Sequence, residues 1–144
     1  MLDTCDRQIL SIVSVVGNLN AKDARDALAL AFEKRFKCEH AAPNLIEWLT
    51  DNGGIFVASE TKQFAKTLGF IPCQTPAYSP ESNGMSESFV KRFKQDYVYV
   101  HELVCAEGVL KQMVHCAEDY NQNHPHKSLK MMSPNDFRRQ MNLG

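Results

Sequence analysis

Apolar residues along the chain follow two spacings, one typical of strands and one typical of helices. Arg7–Val16 is rich in β-branched side chains that partly alternate with polar ones, which predicts a strand. From Asn20 to about Lys37, apolar residues recur three or four positions apart, which predicts an amphipathic helix. A second predicted strand, Leu45–Thr50, stops at an Asp-Asn-Gly-Gly turn.

The remainder of the chain is predicted to be mainly helical. A helix from about Glu60 to Leu68, capped by Ser59, precedes a short strand near Phe70–Cys73. Three more helices are predicted: one that starts after Ser82 or Asn83 and carries Glu87, one from about Ala106 to Asn121, and one that begins at Ser133-Pro134. Strands that alternate with helices favour an α/β domain.

Two acidic residues occupy positions where such domains bind ligands. Asp51 directly follows a predicted strand, at the edge where α/β sheets place ligands. Glu87, Lys91 and Lys94 share one helical face. Two carboxylates can bind Mg²⁺, and lysines can hold the phosphates of a polyanion. Each feature alone has a simpler explanation than a functional site. Asp51 could open an ordinary turn, and Glu87 with Lys91 could be an ordinary ion pair on the surface of a helix.

Four short segments carry more information as a set than any one of them does alone. They are Thr50-Asp51-Asn52-Gly53, Ser79-Pro80-Glu81-Ser82-Asn83-Gly84, Glu87 with Lys91 and Lys94, and the tail formed by Tyr120–Leu129 and Ser133–Phe137. In this order and spacing they resemble the catalytic core of DDE recombinases, the insertion-sequence transposases and retroviral integrases. The 35 residues between Asp51 and Glu87 match the interval in that family's "D,D(35)E" pattern.

The resemblance implies a fold and an activity. The fold is the ribonuclease-H-like α/β fold of integrase cores, a mixed sheet of strand order 3-2-1-4-5 flanked by helices. The activity is DNA transposition or integration, by metal-dependent phosphodiester cleavage and strand transfer. Asp51 and Glu87 would be the second and third catalytic carboxylates, and they would bind two Mg²⁺ or Mn²⁺ ions.

The resemblance also implies partners. DNA, as transposon ends and as target, is the main one, and no membrane partner is expected. A second copy of the chain or a complementing transposase subunit is the expected protein partner. The residues expected to contact DNA are Asn52, Ser82, Asn83, Lys91, Arg92 and Lys94.

The family's first catalytic Asp has no clear counterpart. Asp3 corresponds better to a non-catalytic Asp at the end of the family's second strand, because only one predicted strand separates it from the first long helix. We therefore expect the first, central strand to lie upstream of Met1, and catalysis by the chain alone is not expected. The isolated chain is expected to be poorly stable, to aggregate, or to fill the gap in its sheet with another chain.

Length, composition and charge limit the number of domains and the class of protein. The 144 residues fit a single domain: a core of about residues 1–100 that holds both acidic residues, and a helical tail of about residues 101–144. No apolar run approaches the ~20 residues of a membrane span, so a cytoplasmic protein is expected, associated with the nucleoid when it acts. The net charge of −1 argues against a uniformly basic nucleic-acid binder. Basic residues nevertheless cluster on the Glu87 helix and in the last 24 residues, at Lys127, Lys130, Arg138 and Arg139.

Cysteines and histidines predict no further site. The five cysteines are scattered without a C-x-x-C pair, so we expect small buried thiols rather than disulfides or zinc ligands. His124 and His126 form an H-P-H triplet, but no Cys or His at ligand spacing accompanies them.

Two other functions remain open from the sequence. One is a catalytically inactive member of the same fold that binds DNA or interferes with transposase assembly. The other is an unrelated Mg²⁺-dependent phosphatase-like or nucleotide-binding domain, against which the lack of a Gly-rich phosphate loop argues.

Overall fold

The computed structural model describes residues 1–37, 40–75, 84–100 and 106–142. Its elements are α1 (Ala21–Phe36), β1 (Ile46–Thr50), α2 (Gly54–Val57), α3 (Ser59–Thr67), β2 (Phe70–Gln74), α4 (Gly84–Phe93), α5 (Ala106–Asn123) and α6 (Pro134–Gln140). A π-helical turn, Lys94–Val98, continues α4, and a 3₁₀ turn, Lys127–Leu129, lies between α5 and α6. None of the helices in these ranges combines the length and apolar character that crossing a bilayer requires.

Local sequence signals account for most helix starts. The Asn20 side chain caps α1, and Asp23 completes a capping box by accepting from the Asn20 backbone N–H. Ser133 caps α6, whose first residue is Pro134, as predicted. The predicted Ser59 cap of α3 is wrong: the helix begins at Ser59 itself, and the residue before it, Ala58, offers no side-chain cap.

The two strands form a parallel pair joined by α2 and α3. Ile46 lies beside Phe70, and Thr50 beside Gln74. Alternation of side chains sends Trp48 and Phe70 into a core under α1 and α3, while the opposite sheet face exposes Leu49. This core also contains Leu28, Phe32 and Ala65.

A second core joins the N-terminal segment to the later helices. Ile9 packs there against Phe93 of α4 and against Cys116, Ala117 and Tyr120 of α5. The N-terminal segment contributes to both cores, because Met1 packs with the α1 side and Leu2 with the α5 side. This alternation gives Met1–Asp3 the geometry of a short piece of sheet between two helical layers.

The predicted strand at Arg7–Val16 is wrong. Only an isolated antiparallel bridge joins Leu2 to Ile9, with Met1–Asp3 running back along residues 8–11. A strand needs a neighbouring backbone for its hydrogen bonds, and beyond Ser11 no described segment supplies one. High β-propensity therefore leaves the remaining residues extended but unpaired.

The expectation that the cysteines are buried thiols is confirmed for only some of them. Cys116 is buried, Cys73 is half-buried, and Cys5 is exposed. Cys5 lies in the turn between Met1–Asp3 and Ile9. Cys38 and Cys105 lie outside the described residues.

Candidate metal and DNA site

Asp51 lies where β1 ends, as the sequence predicted, and its side chain is exposed. Its Oδ1 accepts a hydrogen bond of 2.8 Å from the backbone N–H of Gly53. A Cβ at residue 53 would lie only 2.9 Å from Oδ1, so any larger residue there would displace the Asp51 carboxylate. The second carboxylate oxygen has no partner among the described residues, so it is available to a cation.

Asn52, the residue after Asp51, connects the ends of the two strands by a hydrogen bond. Asn52 Nδ2 donates to the backbone oxygen of Thr75 at 3.1 Å. The N–H of Thr75 in turn donates to the oxygen of Thr50 at 2.9 Å. Thr75 was not among the predicted site residues, and nothing in its local sequence marks it apart from its place directly after a strand.

Glu87, Lys91 and Lys94 are all exposed. On the opposite side of α4, Phe93 is buried and Phe89 is half-buried. The helix changes to a π-turn only from Lys94 onward, where the N–H of Tyr99 donates to the Lys94 oxygen at 2.8 Å. Lys94 therefore still falls on the face that Glu87 occupies.

Part of the predicted site lies outside the described residues. Ser82 and Asn83 belong to residues 76–83, which connect β2 to α4 and are not described. Within the described ranges, no three His, Cys, Asp or Glu side chains come together as metal ligands. A metal centre on Asp51 and Glu87 would thus need ligands beyond those that these ranges assemble. The donor set itself, exposed carboxylates, is of the kind that Mg²⁺ and Mn²⁺ accept.

An aromatic and histidine cluster supports the helix that carries Glu87. Tyr97, at the π-turn, stacks on Phe93 and places its hydroxyl 3.3 Å from His124 Nδ1. Tyr120 stacks on His124, with ring centroids 4.8 Å apart. Burial lowers the pKa of His126 to about 4 and raises that of Tyr120 to about 12, so both are neutral at pH 7. The Tyr-Asn-x-x-His-Pro-His segment thus acts in internal packing.

Asn121 has a structural role that the sequence analysis did not assign. It is buried, and its amide bonds both backbone groups of Ile9, accepting from the N–H at 2.7 Å and donating to the oxygen at 2.9 Å. Lys34 also donates to the Ile9 oxygen, at 2.9 Å. The available signal was a polar Asn that directly follows Tyr120 and lies one helical turn after Ala117, on the apolar face of a helix.

Asp3 and Asp6 belong to an ion-pair network rather than to an open site. Arg35 bonds Asp3 at 2.9 Å and Asp6 at 3.1 Å, and Arg138 bonds Asp6 at 2.6 Å. Burial raises the pKa of Asp6, against the opposing effect of its hydrogen bonds and of Arg35. This network fastens the N-terminal turn to α1 and α6.

Three comparisons place the chain among known proteins. Residues 72–134, which include Glu87 but not Asp51, match the family model described as "Integrase core domain". An insertion element IS136 protein of Agrobacterium fabrum, described as uncharacterized, is 44% identical over 138 residues, which cover 95% of this chain and 70% of the relative. A putative transposase InsD for insertion element IS2E of Escherichia coli is 40% identical over 139 residues.

The relatives are longer than this chain. It covers 63% of that InsD protein and 46% of the transposase InsD of IS2A/D/F/H/I/K. Among solved structures, the catalytic core domain of BIV integrase matches 90% of this chain and 77% of its own, with a TM-score of 0.66 and 17% identity. That likeness confirms the predicted integrase-core fold. The chain therefore belongs to the integrase core domain family, among the proteins of bacterial insertion elements.

Proposed function

We propose that the chain is the part of an insertion-element transposase that supplies Asp51 and Glu87 to a two-metal site and holds DNA against it. The reaction is cleavage of a phosphodiester bond followed by strand transfer. Its partners are transposon-end and target DNA, together with a second copy or a complementing transposase subunit. Such a protein acts in the cytoplasm, at the nucleoid.

The observation that carries this proposal is a group of exposed cations on the helix that carries Glu87. Lys91, Arg92 and Lys94 are all exposed, and no ion pair within the described residues involves them. Lys62 and Lys66 on α3 are also outside these ion pairs, so what distinguishes α4 is that its cations lie beside Glu87. Cations left without carboxylate partners beside an acidic residue are available to phosphates.

The chain's own residues have distinct tasks in this reaction. Asp51, held by Gly53, presents one carboxylate oxygen to a cation, and Glu87 presents its carboxylate from the solvent face of α4. Lys91 and Lys94 hold the DNA backbone beside that face. Asp51 and Glu87 would hold divalent cations, which would supply activation of the attacking hydroxyl and stabilisation of the leaving oxygen.

DNA binding is tested by fluorescence anisotropy with a labelled 30-bp duplex at several salt concentrations. The Lys91→Ala/Lys94→Ala double variant should bind more weakly, and its salt slope should fall by about 2, one for each lost phosphate contact. Lys62→Ala/Lys66→Ala on α3 removes the same charge elsewhere and should leave the slope close to wild type. Equal losses in both double variants would contradict a DNA face on α4.

Metal-dependent chemistry is tested with Glu87→Gln in a transposition assay that supplies the rest of the relatives' length. The variant should lose cleavage and joining of transposon-end DNA while it keeps its DNA affinity. Retained cleavage would contradict the assignment of Glu87. DNA binding without any metal-dependent cleavage by wild type, with the rest of that length supplied, would instead support an inactive binding module.

A further inference from the structure

The ladder between β1 and β2 has a regular pattern of donors. The N–H of Ile46 donates to the Gly69 oxygen at 3.1 Å, and the N–H of Thr75 donates to the Thr50 oxygen at 2.9 Å. In a parallel pair, every second residue of a strand faces the same neighbour. The even-numbered residues of β1 therefore face β2, and the next donor in this series is the backbone N–H of residue 52, with the Thr75 oxygen as its acceptor.

That backbone bond is replaced by a side-chain bond. The chain turns away at Asp51, where Oδ1 binds the N–H of Gly53. The Thr75 oxygen instead accepts a hydrogen bond of 3.1 Å from Asn52 Nδ2. The side chain of Asn52 thus extends the ladder by one step past the point where the backbone has left the sheet. Asp has the same shape but no N–H to donate, so the bond requires the amide.

The two chain segments that meet at this bond lead to the two candidate metal ligands. Asp51 directly precedes Asn52, and the connection to α4 and Glu87 begins directly after Thr75. Thr75 is buried, so its oxygen has little access to water as an alternative partner. Fixing Thr75 therefore fixes the starting point of that connection relative to the Asp51 turn.

We infer that Asn52 is a positioning residue for the metal site, which holds the start of the connection to Glu87 beside the Asp51 carboxylate. This inference rests on the proposed function, because a metal shared by Asp51 and Glu87 is what the positioning serves. Asn52 was predicted to contact DNA. With one Nδ2 hydrogen engaged by Thr75, its other Nδ2 hydrogen and its Oδ1 remain available for such a contact.

The test compares Asn52→Ala, Asn52→Gln and wild type by two NMR measurements on the full chain. The first is the hydrogen-exchange rate of the Thr75 amide, which should rise about 5-fold or more in Asn52→Ala, as expected for the loss of one hydrogen bond. The second is the Mn²⁺ concentration that half-broadens the Gly53 amide, which should rise by about the same factor. Asn52→Gln, which keeps an amide donor, should fall between the two.

Thr67→Val is the matched control. It removes a side-chain bond of the same kind, from Thr67 Oγ1 to the Phe64 oxygen at 2.7 Å, at the far end of α3. It should change neither the Thr75 exchange rate nor the Mn²⁺ response. Equal changes in the control would show general loosening and would overturn the inference.

The outcomes separate this inference from the proposed function. Unchanged Thr75 exchange in Asn52→Ala would overturn the inference, and so would faster exchange with unchanged Mn²⁺ response. Wild type that shows no Mn²⁺ broadening at Gly53 would overturn the metal site itself, and positioning with it. Failure of the proposed function is thus visible in wild type, whereas failure of the inference alone is visible only in the variants.

Discussion

Two neighbouring glycines in the turn after β1 differ sharply in the space around them. A Cβ on Gly53 would lie 2.9 Å from Asp51 Oδ1, whereas a Cβ on Gly54 would meet nothing within 4 Å. The backbone of Gly53 is in an extended conformation that any residue adopts, with φ −60° and ψ 137°. A side chain at residue 53 would therefore act by steric contact with the candidate metal ligand rather than by backbone strain.

Gly53→Ala should displace the Asp51 carboxylate and weaken divalent-cation binding. We expect about a tenfold rise in the Mn²⁺ concentration needed for half-saturation, as measured by electron paramagnetic resonance of the free ion, which corresponds to about 1.4 kcal/mol. Gly54→Ala, at the first position of α2, should leave Mn²⁺ binding unchanged. Equal effects of the two substitutions would contradict a role for Asp51 in holding the metal.

His126 makes stability depend on pH. Its Nε2 is buried and has no hydrogen-bond partner among the described residues, and burial lowers its pKa from 6.5 to about 4. The unfolded chain therefore binds a proton that the folded chain rejects between these two values, and the free energy of unfolding should fall as pH drops from about 6.5 to about 4. His124 and the Met1 amine, whose pKa burial also lowers, act in the same direction.

Urea unfolding at pH 7 and pH 5 measures this effect. His126→Gln should reduce the difference in unfolding free energy between the two pH values, because it removes the titrating group. The exposed His115 is the control, and His115→Gln should preserve the difference. If His126→Gln unfolds with the full wild-type pH dependence, His126 does not titrate as described.

At the scale of elements, one side chain connects α5 to the N-terminal segment. Asn121 replaces a neighbouring strand for Ile9 by bonding both of its backbone groups. Asn121→Ala would leave the buried N–H of Ile9 without an acceptor and should lower the free energy of unfolding by about 1–3 kcal/mol. The measurement is urea denaturation at pH 7.

Asn123→Ala on the same helix is the comparison. Asn123 is exposed and its side chain bonds the exposed Asp119 at 2.7 Å, so its loss should cost less than about 0.5 kcal/mol. A similar cost for both variants would mean that the bond to Ile9 contributes nothing specific to the fold.

For the whole molecule, the most consequential feature is the open side of the sheet. The ladder to β2 uses the even-numbered residues of β1, so the backbone groups of Glu47 and Leu49 point to the other edge, where no described backbone bonds them. The exposed sheet face carries Leu45 and Leu49, which are 75% and 53% exposed, and Ile71. Open edges and apolar faces of this kind promote association between chains.

The isolated chain should therefore associate as its concentration rises, as measured by sedimentation velocity. Leu49→Lys should reduce this association, because a charge on an edge strand opposes pairing. Leu30→Lys on α1, where the leucine is 48% exposed, changes the same residue type away from the edge and should have little effect. A monomeric wild type that unfolds cooperatively well above room temperature would contradict this expectation.

Local signals placed the elements well where the helix or strand needs only its own residues. Asn20 with Asp23, and Ser133 with Pro134, fixed the starts of α1 and α6 because capping acts within one turn. Arg7–Val16 failed because a strand depends on a partner that local sequence does not reveal. The short α2 was also missed. The π-turn after Phe93 was missed because it depends on the packing of Tyr97 against Phe93 and Tyr120, which the local sequence does not reveal.

By itself, the sequence determined the family, the order of the two strands and of the longer helices, and the positions of Asp51 and Glu87 at a strand end and on an exposed helix face. Those features follow from spacing along the chain, which the sequence states directly. Only the tertiary structure decided that Asn52 reaches Thr75, that Asn121 takes the place of a strand beside Ile9, and that Asp6 joins Arg35 to Arg138. Each of these contacts joins residues far apart in sequence, and a donor's partner across such a distance is set by packing rather than by its neighbours in the chain.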